Sequence, residues 1–477
     1  MEKILNYIDG KFGESVQRKW MDNVNPAAGH IYSRLPDSDG QDVEHAVQAA
    51  RRAFAGWSQS SVETRATFLE KLANLLERDK HELAKIETVD TGKPISVSST
   101  VDIPRSIQNF RFFASAIRQF ASESHHDLGQ LNYTLRDPVG IVACISPWNL
   151  PLYLLSWKIA PALAAGNTVV AKPSEVTPMS AYVLTKLAHE AGLPPGVLNI
   201  VYGHGNAAGE ALVAHPDVKA ISFTGGTNTG KRIGTLAGAQ LKKVSLELGG
   251  KNPNIIFADC DFEKALDTTV RSSFANQGQI CLCGSRILVE RSIFERFADA
   301  LASKAKDLKI GDPLDPNTQQ GAVVSQAHYQ KIIDAIEDAK RNGAKILTGG
   351  KSKKVSGLEG WFIEPTIMTS LTPDCRTNME EIFGPVVTLT PFDNDDEALK
   401  LANMTTYGLS ASVWTNNLHR AHQFAKQLQA GIVWINTWML RDLRTPFGGT
   451  KNSGVGREGG VEALRFFTEP KNVCLEF

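Results

Sequence analysis

Residues 139–172 read VGIVACISPWNLPLYLLSWKIAPALAAGNTVVAK, and this stretch predicts the fold class. Val139–Ser146 is a short apolar run that ends at a Pro-Trp-Asn turn, which is typical of a buried strand. Pro151–Ala165 follows as an apolar helix with proline at its start. Thr168–Lys172 is a second apolar run, closed by a proline. Strand, helix and strand in this order predict two parallel strands of one sheet, with the helix packed on its face.

The same alternation continues on both sides of residue 250. Before it, the pattern predicts helices at Glu44–Trp57, Val62–Thr88, Ser180–Ala191, Asn206–Ala214 and Gly230–Ala239, and strands at Val197–Tyr202, Val218–Phe223 and Lys243–Leu248. After it, the pattern predicts strands at Asn254–Phe257, Ile287–Val289, Ala411–Trp414 and Ile432–Ile435, and helices at Phe262–Ala275, Phe294–Ala305 and Gln326–Arg341. The sequence therefore predicts an α/β protein with two doubly wound parallel sheets, whose ligands bind at the carboxyl ends of the strands.

Composition narrows the class of partner. Among 477 residues, 51 Lys and Arg balance 51 Asp and Glu, which disfavours nucleic acid as a partner. Residues 138–157 carry no charge, but three prolines and several polar side chains argue against a membrane span. The six cysteines and eleven histidines show no metal-binding spacing, so we expect no metal. The start, MEKILNYIDG, has no long apolar run, so we expect a reducing, cytoplasmic location.

A glycine-rich turn and a nearby carboxylate predict a dinucleotide site. Residues 225–231 (GGTNTGK) link a predicted strand to a predicted helix and match neither common phosphate-binding pattern, although their N–H groups suit an anion. Glycines that serve only a tight turn and close packing are the alternative. Lys172 and Glu175 follow another strand end, where a carboxylate binds an adenine ribose and repels a 2′-phosphate. This favours NAD over NADP, with a surface Lys–Glu pair as the alternative.

Three side chains at loop positions suit acyl-transfer chemistry. Cys281 lies in a polar, glycine-containing segment, where a reactive thiol is plausible, while Cys283 is the candidate for simple packing. Glu247 ends a predicted strand beside two glycines, so that its carboxylate can reach a cleft. Asn149 follows another strand end, and its amide can donate to a developing oxyanion. Each residue taken alone is better explained by a structural role than by a catalytic one.

Together, these positions resemble the aldehyde dehydrogenase superfamily over nearly the whole chain. The resemblance is carried by Pro147-Trp148-Asn149, Lys172-Pro173-Ser174-Glu175, Phe223-Thr224-Gly225, Leu246-Glu247-Leu248-Gly249-Gly250-Lys251, Gly278-Gln279-Ile280-Cys281, Glu381-Ile382-Phe383-Gly384-Pro385 and Pro446-Phe447-Gly448-Gly449. It implies that Cys281 attacks the aldehyde, that Asn149 and the Cys281 N–H hold the oxyanion, and that Glu247 activates water. It also implies an NAD site formed by Ser146, Pro147, Trp148, Lys172, Glu175, Phe223, Thr224, Gly225, Gly226, Leu248, Glu381 and Phe383.

The resemblance further implies a division into domains. Residues 1–118 and 140–249 are expected to form the NAD-binding domain, and residues 250–449 the catalytic domain. Residues 119–139 and 450–477 are expected to form a small β element that joins subunits into a dimer or a tetramer. Many relatives carry serine where this chain has Gly226, so backbone donors must serve the diphosphate here.

Two arginines indicate the class of aldehyde. Arg105 and Arg441 occupy pocket positions where simple aldehyde oxidisers usually carry apolar or aromatic residues, and a buried arginine needs an anion. Asp102, a candidate helix N-cap, and Asp442 are the alternative partners of these arginines. Expected substrate contacts come from Arg105, Asn149, Trp157, Arg441 and Phe447.

The surrounding segments narrow the substrate further. Residues 102–113, 148–161 and 436–449 resemble those of enzymes that oxidise muconic semialdehydes, which carry a carboxylate. 2-Aminomuconic 6-semialdehyde, from tryptophan breakdown by the kynurenine route, is the first expectation, and 2-hydroxymuconic semialdehyde from aromatic ring cleavage is the second. A general aliphatic or betaine-type aldehyde dehydrogenase and a fold without turnover are the remaining alternatives.

Overall fold

A computed structural model describes all 477 residues and contains two large sheets. The first sheet has eight strands, in the order Gly454–Val455, Lys243–Glu247, Val218–Thr224, Ile141–Ile145, Thr168–Lys172, Leu198–Ile200, Asn6–Ile8 and Lys11–Gly13. Its five central strands are parallel, and the strands at both edges are antiparallel. The strand order reverses direction beside Ile141–Ile145, and this reversal opens a crevice at the carboxyl ends of the strands.

Helices cover both faces of the first sheet, as predicted for a doubly wound fold. The helices on these faces include Gly40–Ser58, Pro151–Ala164, Glu210–Ala214 and Thr227–Gly238, and the other helices of this part of the chain are Val62–Arg78, Lys80–Thr91, Ile95–Val97, Ile103–Arg118 and Met179–Glu190. Pro151–Ala164 is buried along its whole length because it lies between the sheet and other helices. Its first half, Pro151–Trp157, forms the C-terminal end of the uncharged stretch 138–157. No helix in the structure is both long and apolar enough to cross a bilayer.

The second sheet has seven strands and carries the rest of the site. Their order is Lys345–Thr348, Thr366–Thr369, Val386–Phe392, Arg286–Glu290, Pro253–Ile256, Ser410–Trp414 and Ile432–Ile435. All are parallel except the first. The flanking helices are Phe262–Phe274, Phe294–Lys306, Gln326–Arg341, Arg376–Met379, Asp395–Asn403 and Leu418–Gln427. The prediction of two doubly wound parallel sheets is thus confirmed.

Smaller β elements complete the fold. Ser124–Asp127 and Gln130–Pro138 form a hairpin, and Thr468–Glu476 pairs along the whole second strand of this hairpin. Trp20–Asn25, His30–Pro36 and Glu2–Lys3 form a three-stranded sheet near the N-terminus. Shorter pairs join Ser352–Val355 to Leu358–Ile363 and Tyr407–Gly408 to Thr450–Lys451.

Two local predictions differ from the structure. The predicted helix 62–88 is broken at Asp79, where the backbone leaves helical geometry although apolar positions continue on both sides. Gly454–Val455 and the helix Gly460–Phe466, which the sequence assigned to the outer β element, instead pack on the first sheet and its core. The second difference arises from strand pairing between segments about 200 residues apart, which a local sequence pattern does not report.

Candidate active site

A groove follows the carboxyl ends of the first sheet at its reversal point. A cavity of about 260 Å³ lies against Ser146, Lys172, Glu175 and the turn Gly225–Gly226. A second cavity of about 230 Å³ shares residues 147, 148 and 224–226 with the first and reaches Cys281. The two cavities therefore form one elongated site, as expected for a dinucleotide.

The glycines of the turn have separate functions. A Cβ on Gly225 would overlap the ring of Phe223, and one on Gly230 would overlap the side chain of Leu248. These two positions thus need glycine for close packing. Gly226 faces open space, where a Cβ would meet no atom within 4 Å, and it precedes the helix Thr227–Gly238 without a side-chain cap. The N–H groups of this helix start remain available to an anion.

Two side chains lie at the far end of the groove. Lys172 Nζ donates to Glu175 Oε2 at 3.0 Å, and the carboxylate is 30% exposed. Burial alone would raise the pKa of Glu175, but the charge and hydrogen bond of Lys172, with a backbone N–H and His204, lower it overall. Glu175 is thus held as an anion at the groove, which suits ribose hydroxyls and opposes a 2′-phosphate.

Unpartnered polar atoms line the middle of the groove. The hydroxyls of Ser146 and Thr224 are buried and have no hydrogen-bond partner within the protein. Both residues line the cavity. Buried hydroxyls without a partner are rare, so these atoms point to a polar ligand in the groove. With Glu175 and the open helix start, they fit a dinucleotide.

The inner end of the groove is built around Glu381 and Phe383. Glu381 Oε1 accepts the Gly250 N–H at 2.9 Å, and burial raises the pKa of this carboxyl to about 7. Phe383 has a left-handed φ of 62°, and its ring packs at 5.3 Å from that of Trp148. His328 contacts both rings and bonds the carbonyl oxygen of Phe383 at 2.7 Å. Strained backbone of this kind persists only where its surroundings fix it.

The loop of Cys281 is held by its backbone. Asn252 Nδ2 donates to the carbonyls of Cys281 and Cys283 at 2.8 and 2.9 Å. A Cβ on Gly250 would lie 2.9 Å from the Cys281 carbonyl oxygen, so this glycine permits the close approach. The N–H of Cys281 donates to no acceptor in the protein, which leaves it available to an oxyanion.

The two neighbouring cysteines have different surroundings. Cys283 is buried in an apolar cluster with Leu282, Trp434 and Trp438, which agrees with a packing role. Cys281 is half-buried and lines the cavity. Burial, Glu381 and Glu247 raise the pKa of the Cys281 thiol to about 12, while Arg441 opposes this shift. In the protein alone the thiol is therefore neutral at pH 7.

The side-chain amide of Asn149 is oriented by a hydrogen bond to the segment that precedes Cys281. Its Nδ2 donates to the carbonyl of Gln279 at 2.9 Å, which leaves the second N–H of the amide for another acceptor. The backbone carbonyl oxygen of Asn149 accepts hydrogen bonds from Lys93 Nζ at 2.8 Å and from Asn276 Nδ2 at 3.2 Å. Asn149 and Cys281 line the same cavity, so their two donors can converge there.

Glu247 is a buried carboxyl without a hydrogen-bond partner. It is 3% exposed, and neither oxygen is bonded. Burial and the charge of Glu458 raise its pKa well above the ordinary value, against the opposing charges of Lys158, Arg457 and Arg441. Lys158 itself bonds Glu458 at 2.6 Å. A carboxyl of this kind holds its proton tightly and has the raised basicity of a general base.

Arg441 lies on an aromatic wall without an acidic partner. Its guanidinium carbon is 3.9 Å from the ring centroid of Phe447 and 5.5 Å from that of Trp157. Its Nη1 donates to the Tyr153 hydroxyl at 2.5 Å. No carboxylate forms a salt bridge with it. Most N–H donors of the Arg441 guanidinium are therefore free to bind an anion in the cavity that Arg441 lines.

Arg105 and Arg441 line one cavity, which has a volume of about 910 Å³. Arg105 also has no salt bridge. Asp102, the candidate N-cap, has helical backbone angles and makes no cap bond, because its carboxylate pairs with the buried Lys93. Asp442 bonds Arg444 at 2.6 Å, and Arg105 acts on it only at longer range. The expectation that Asp102 caps the helix is therefore wrong, and neither alternative acidic partner binds the arginines.

The sequence did not point to several side chains that shape the site. Tyr153, His328 and Lys93 contact site residues from segments far away in the chain. Of these three residues, only Tyr153 is recognisable in the sequence, because its hydroxyl is the one polar group in the apolar run of residues 151–155.

The chain is similar to known proteins over nearly its whole length. A model of the aldehyde dehydrogenase family matches residues 12–473. The 2-aminomuconic semialdehyde dehydrogenase of Bos taurus is 49% identical over 477 residues, which cover 99% of this chain and 98% of that protein. The 2-hydroxymuconic semialdehyde dehydrogenase of Pseudomonas sp. (strain CF600) is 46% identical and covers 100% of both chains. The NAD+ complex of an aldehyde dehydrogenase from Bacillus cereus has a TM-score of 0.97 at 40% identity, covering 100% of this chain and 97% of that one.

Proposed function

The chain belongs to the aldehyde dehydrogenase family, and we propose on this premise that it oxidises a carboxylated semialdehyde to the acid with NAD. The observation that carries the substrate class is the pair Arg105 and Arg441, which lie at one cavity without a carboxylate partner. Guanidinium groups so placed can bind an anion through paired hydrogen bonds, and the carboxylate of the substrate is the proposed anion.

Cys281 is the nucleophile in this proposal. The thiol loses its proton to solvent water, its sulfur bonds to the aldehyde carbon, and the C=O π electrons move to the oxygen, which becomes the oxyanion of the tetrahedral adduct. The free N–H of Cys281 and the Asn149 amide donate to that oxygen. Arg441 favours the ionised forms of both Cys281 and Glu247, so the substrate pocket supports loss of the thiol proton.

Glu247 is the general base for hydrolysis of the thioester on Cys281. Its carboxylate takes a proton from water as the water oxygen attacks the acyl carbon, and the C–S bond then breaks to release the acid. The high pKa imposed by burial makes Glu247 a strong base once it is ionised.

NAD supplies the acceptor for the hydride that leaves the substrate carbon. Glu175 and Lys172 are proposed to hold its adenine ribose, and the start of helix Thr227–Gly238 its diphosphate. Glu381 and Phe383 are proposed to hold its nicotinamide end, with the remaining contacts from Ser146, Pro147, Trp148, Phe223, Thr224, Gly225, Gly226 and Leu248.

2-Aminomuconic 6-semialdehyde is the proposed substrate, because enzymes named for it are similar over the whole chain. 2-Hydroxymuconic semialdehyde is the second candidate, since the enzyme named for it is nearly as similar. Both place a carboxylate away from the aldehyde, as two arginines require. A reaction rate measured on both compounds decides between them.

The assembly and location are also proposals. Residues 119–139 and 468–477 form an exposed sheet whose edge suits pairing with a second copy, so we propose a dimer or a tetramer. The nucleotide-binding and catalytic domains are proposed at residues 1–118 with 140–249 and at 250–449. Six cysteines without a disulfide, one of them the nucleophile, suit a reducing cytoplasm.

The nucleophile provides the direct test. Cys281→Ala should abolish NADH formation from a carboxylated semialdehyde, whereas Cys283→Ala, the same change two residues away in an apolar cluster, should leave it nearly unchanged. Mass spectrometry of the protein quenched during turnover should find the acyl group on Cys281 alone. NADH formation by Cys281→Ala at the parent rate would contradict the proposal.

A further inference from the structure

A fully buried ion pair lies beside the catalytic residues. The side chains of Lys93 and Asp102 have no exposed surface, and Lys93 Nζ contacts Asp102 Oδ2. Burying two charges costs about as much as their attraction returns, so such a pair is weak evidence for a stabilising role. Its position is more informative, because Lys93 also touches Asn149.

We propose that Lys93 is a positioning residue, which fixes Asn149 for oxyanion binding and ties it to the helix that carries Arg105. The inference rests on the oxyanion role proposed above for Asn149. Lys93 Nζ reaches the Asn149 carbonyl at 2.8 Å. Asp102 immediately precedes the helix Ile103–Arg118.

The Asn149 carbonyl needs such a donor. The helix Pro151–Ala164 begins beyond it, and the first carbonyl bonded within that helix is that of Leu150. A buried carbonyl outside the ladder must be satisfied from elsewhere. Lys93 and Asn276 supply the bonds, from the loop before the helix Ile95–Val97 and from the turn Ala275–Gly278 before Cys281. The backbone of Asn149 is therefore held by hydrogen bonds from two separate segments, one through Lys93 and one through Asn276.

The charge balance agrees with this role. Glu87 is also fully buried, and its oxygens have no hydrogen-bond partner. Burial raises its pKa to about 7, although the charge of Lys93 opposes the shift. With a pKa of about 7, Glu87 carries a proton in about half of the molecules at neutral pH, so Asp102 is the carboxylate that pairs directly with Lys93.

The test compares variants on an uncharged aldehyde, hexanal, with melting temperature as the measure of folding. Lys93→Met with Asp102→Leu removes both charges together and avoids an unpaired buried carboxylate. We expect kcat/KM to fall about 100-fold because Asn149 is misplaced by about 1 Å. Arg65→Met is the control, since Arg65 is also a buried cation that bonds backbone carbonyls, but far from the site. It should lower the melting temperature only.

Combination with Asn149→Ala separates positioning from general destabilisation. If Lys93 acts through Asn149, the triple variant should be no slower than Asn149→Ala alone. Multiplied losses, or a lowered melting temperature with unchanged kcat/KM, would overturn the inference. Unchanged kcat/KM in Asn149→Ala itself would instead remove the proposed oxyanion role, and this inference with it.

A variant that keeps Lys93 covers the case in which the charge-free variant does not fold. Asp102→Asn retains Lys93 and its bond to Asn149, so kcat/KM for hexanal should fall much less than in Lys93→Met. Equal losses in Asp102→Asn and Lys93→Met would overturn the inference, because the bond to Asn149 would then not matter.

Discussion

Replacement of Arg441 by methionine should remove the preference for carboxylated aldehydes. Methionine is unbranched and keeps apolar contact with Phe447, whose ring centroid lies 3.9 Å from the guanidinium. The variant therefore loses the charge and its hydrogen bonds while retaining most of the packing. Arg441 has no carboxylate partner in the protein, so no buried acid is left unpaired by the change.

The expected loss follows from the contacts. A hydrogen bond to a charged group contributes about 1.5–3 kcal/mol, and loss of one partner of a buried charged pair costs about 2–5 kcal/mol. About 3 kcal/mol corresponds to roughly 100-fold in kcat/KM. Arg441 also favours ionisation of Cys281 and Glu247, which affects every aldehyde. The ratio of kcat/KM for a carboxylated semialdehyde to that for hexanal cancels this common effect.

The assay measures that ratio by NADH absorbance for the parent, Arg441→Met and Arg444→Met. Arg444 is the matched control, because it belongs to the same loop but is 80% exposed and bonded to Asp442. Exposed pairs contribute about 0–1 kcal/mol, so Arg444→Met should change the ratio less than about fivefold. The reasoning is refuted if Arg441→Met leaves the ratio unchanged, or if both variants lower it equally.

Three further predictions concern the titrating groups. Alkylation of Cys281 by iodoacetamide in the protein without NAD should be slow at pH 7 and rise about tenfold per pH unit up to its pKa of about 12; peptide mass spectrometry checks this, and a rate independent of pH would contradict it. Glu247→Gln should give a burst of NADH equal to the number of active sites, followed by turnover slower by about 10²–10⁴-fold; a slowed burst would place Glu247 before the hydride step instead. Glu87→Gln should raise the melting temperature at pH 8 but much less at pH 5. The Glu87 carboxyl has a pKa of about 7 in the folded protein against 4.5 in the unfolded chain, so it holds its proton more tightly when folded. The parent protein therefore loses at most about 3 kcal/mol of stability as the pH rises from 4.5 to 7, and the variant does not. An equal shift at both pH values would contradict the assignment.

Sequence patterns placed the central strands well. Thr168–Lys172 and Ile432–Ile435 have their predicted bounds, because short apolar runs between turn residues have few alternatives in a buried parallel sheet. The predicted strand ends also placed Lys172, Gly225 and Glu247 together at the carboxyl end of the first sheet, because the strands that carry them are parallel. This much of the site could be predicted from local pattern and topology.

The remainder of the site depends on contacts between distant segments. Tyr153 and Arg441 are separated by 288 residues, and neither segment contains a pattern that predicts their hydrogen bond. Asp102 has the residue type and position of a helix cap, but a buried lysine captures its carboxylate. A capping bond contributes about 1 kcal/mol, less than the cost of leaving that lysine unpaired, so the tertiary contact decides the outcome.

The selectivity of the unmodified protein distinguishes an enzyme for carboxylated semialdehydes from a general aldehyde dehydrogenase. The measurement is kcat/KM with NAD for 2-aminomuconic or 2-hydroxymuconic semialdehyde and for hexanal, an uncharged aldehyde of the same chain length. Two arginines without carboxylate partners predict a preference of at least about 100-fold for one of the carboxylated compounds. Comparable values for all three would contradict the claim and indicate a general aldehyde dehydrogenase.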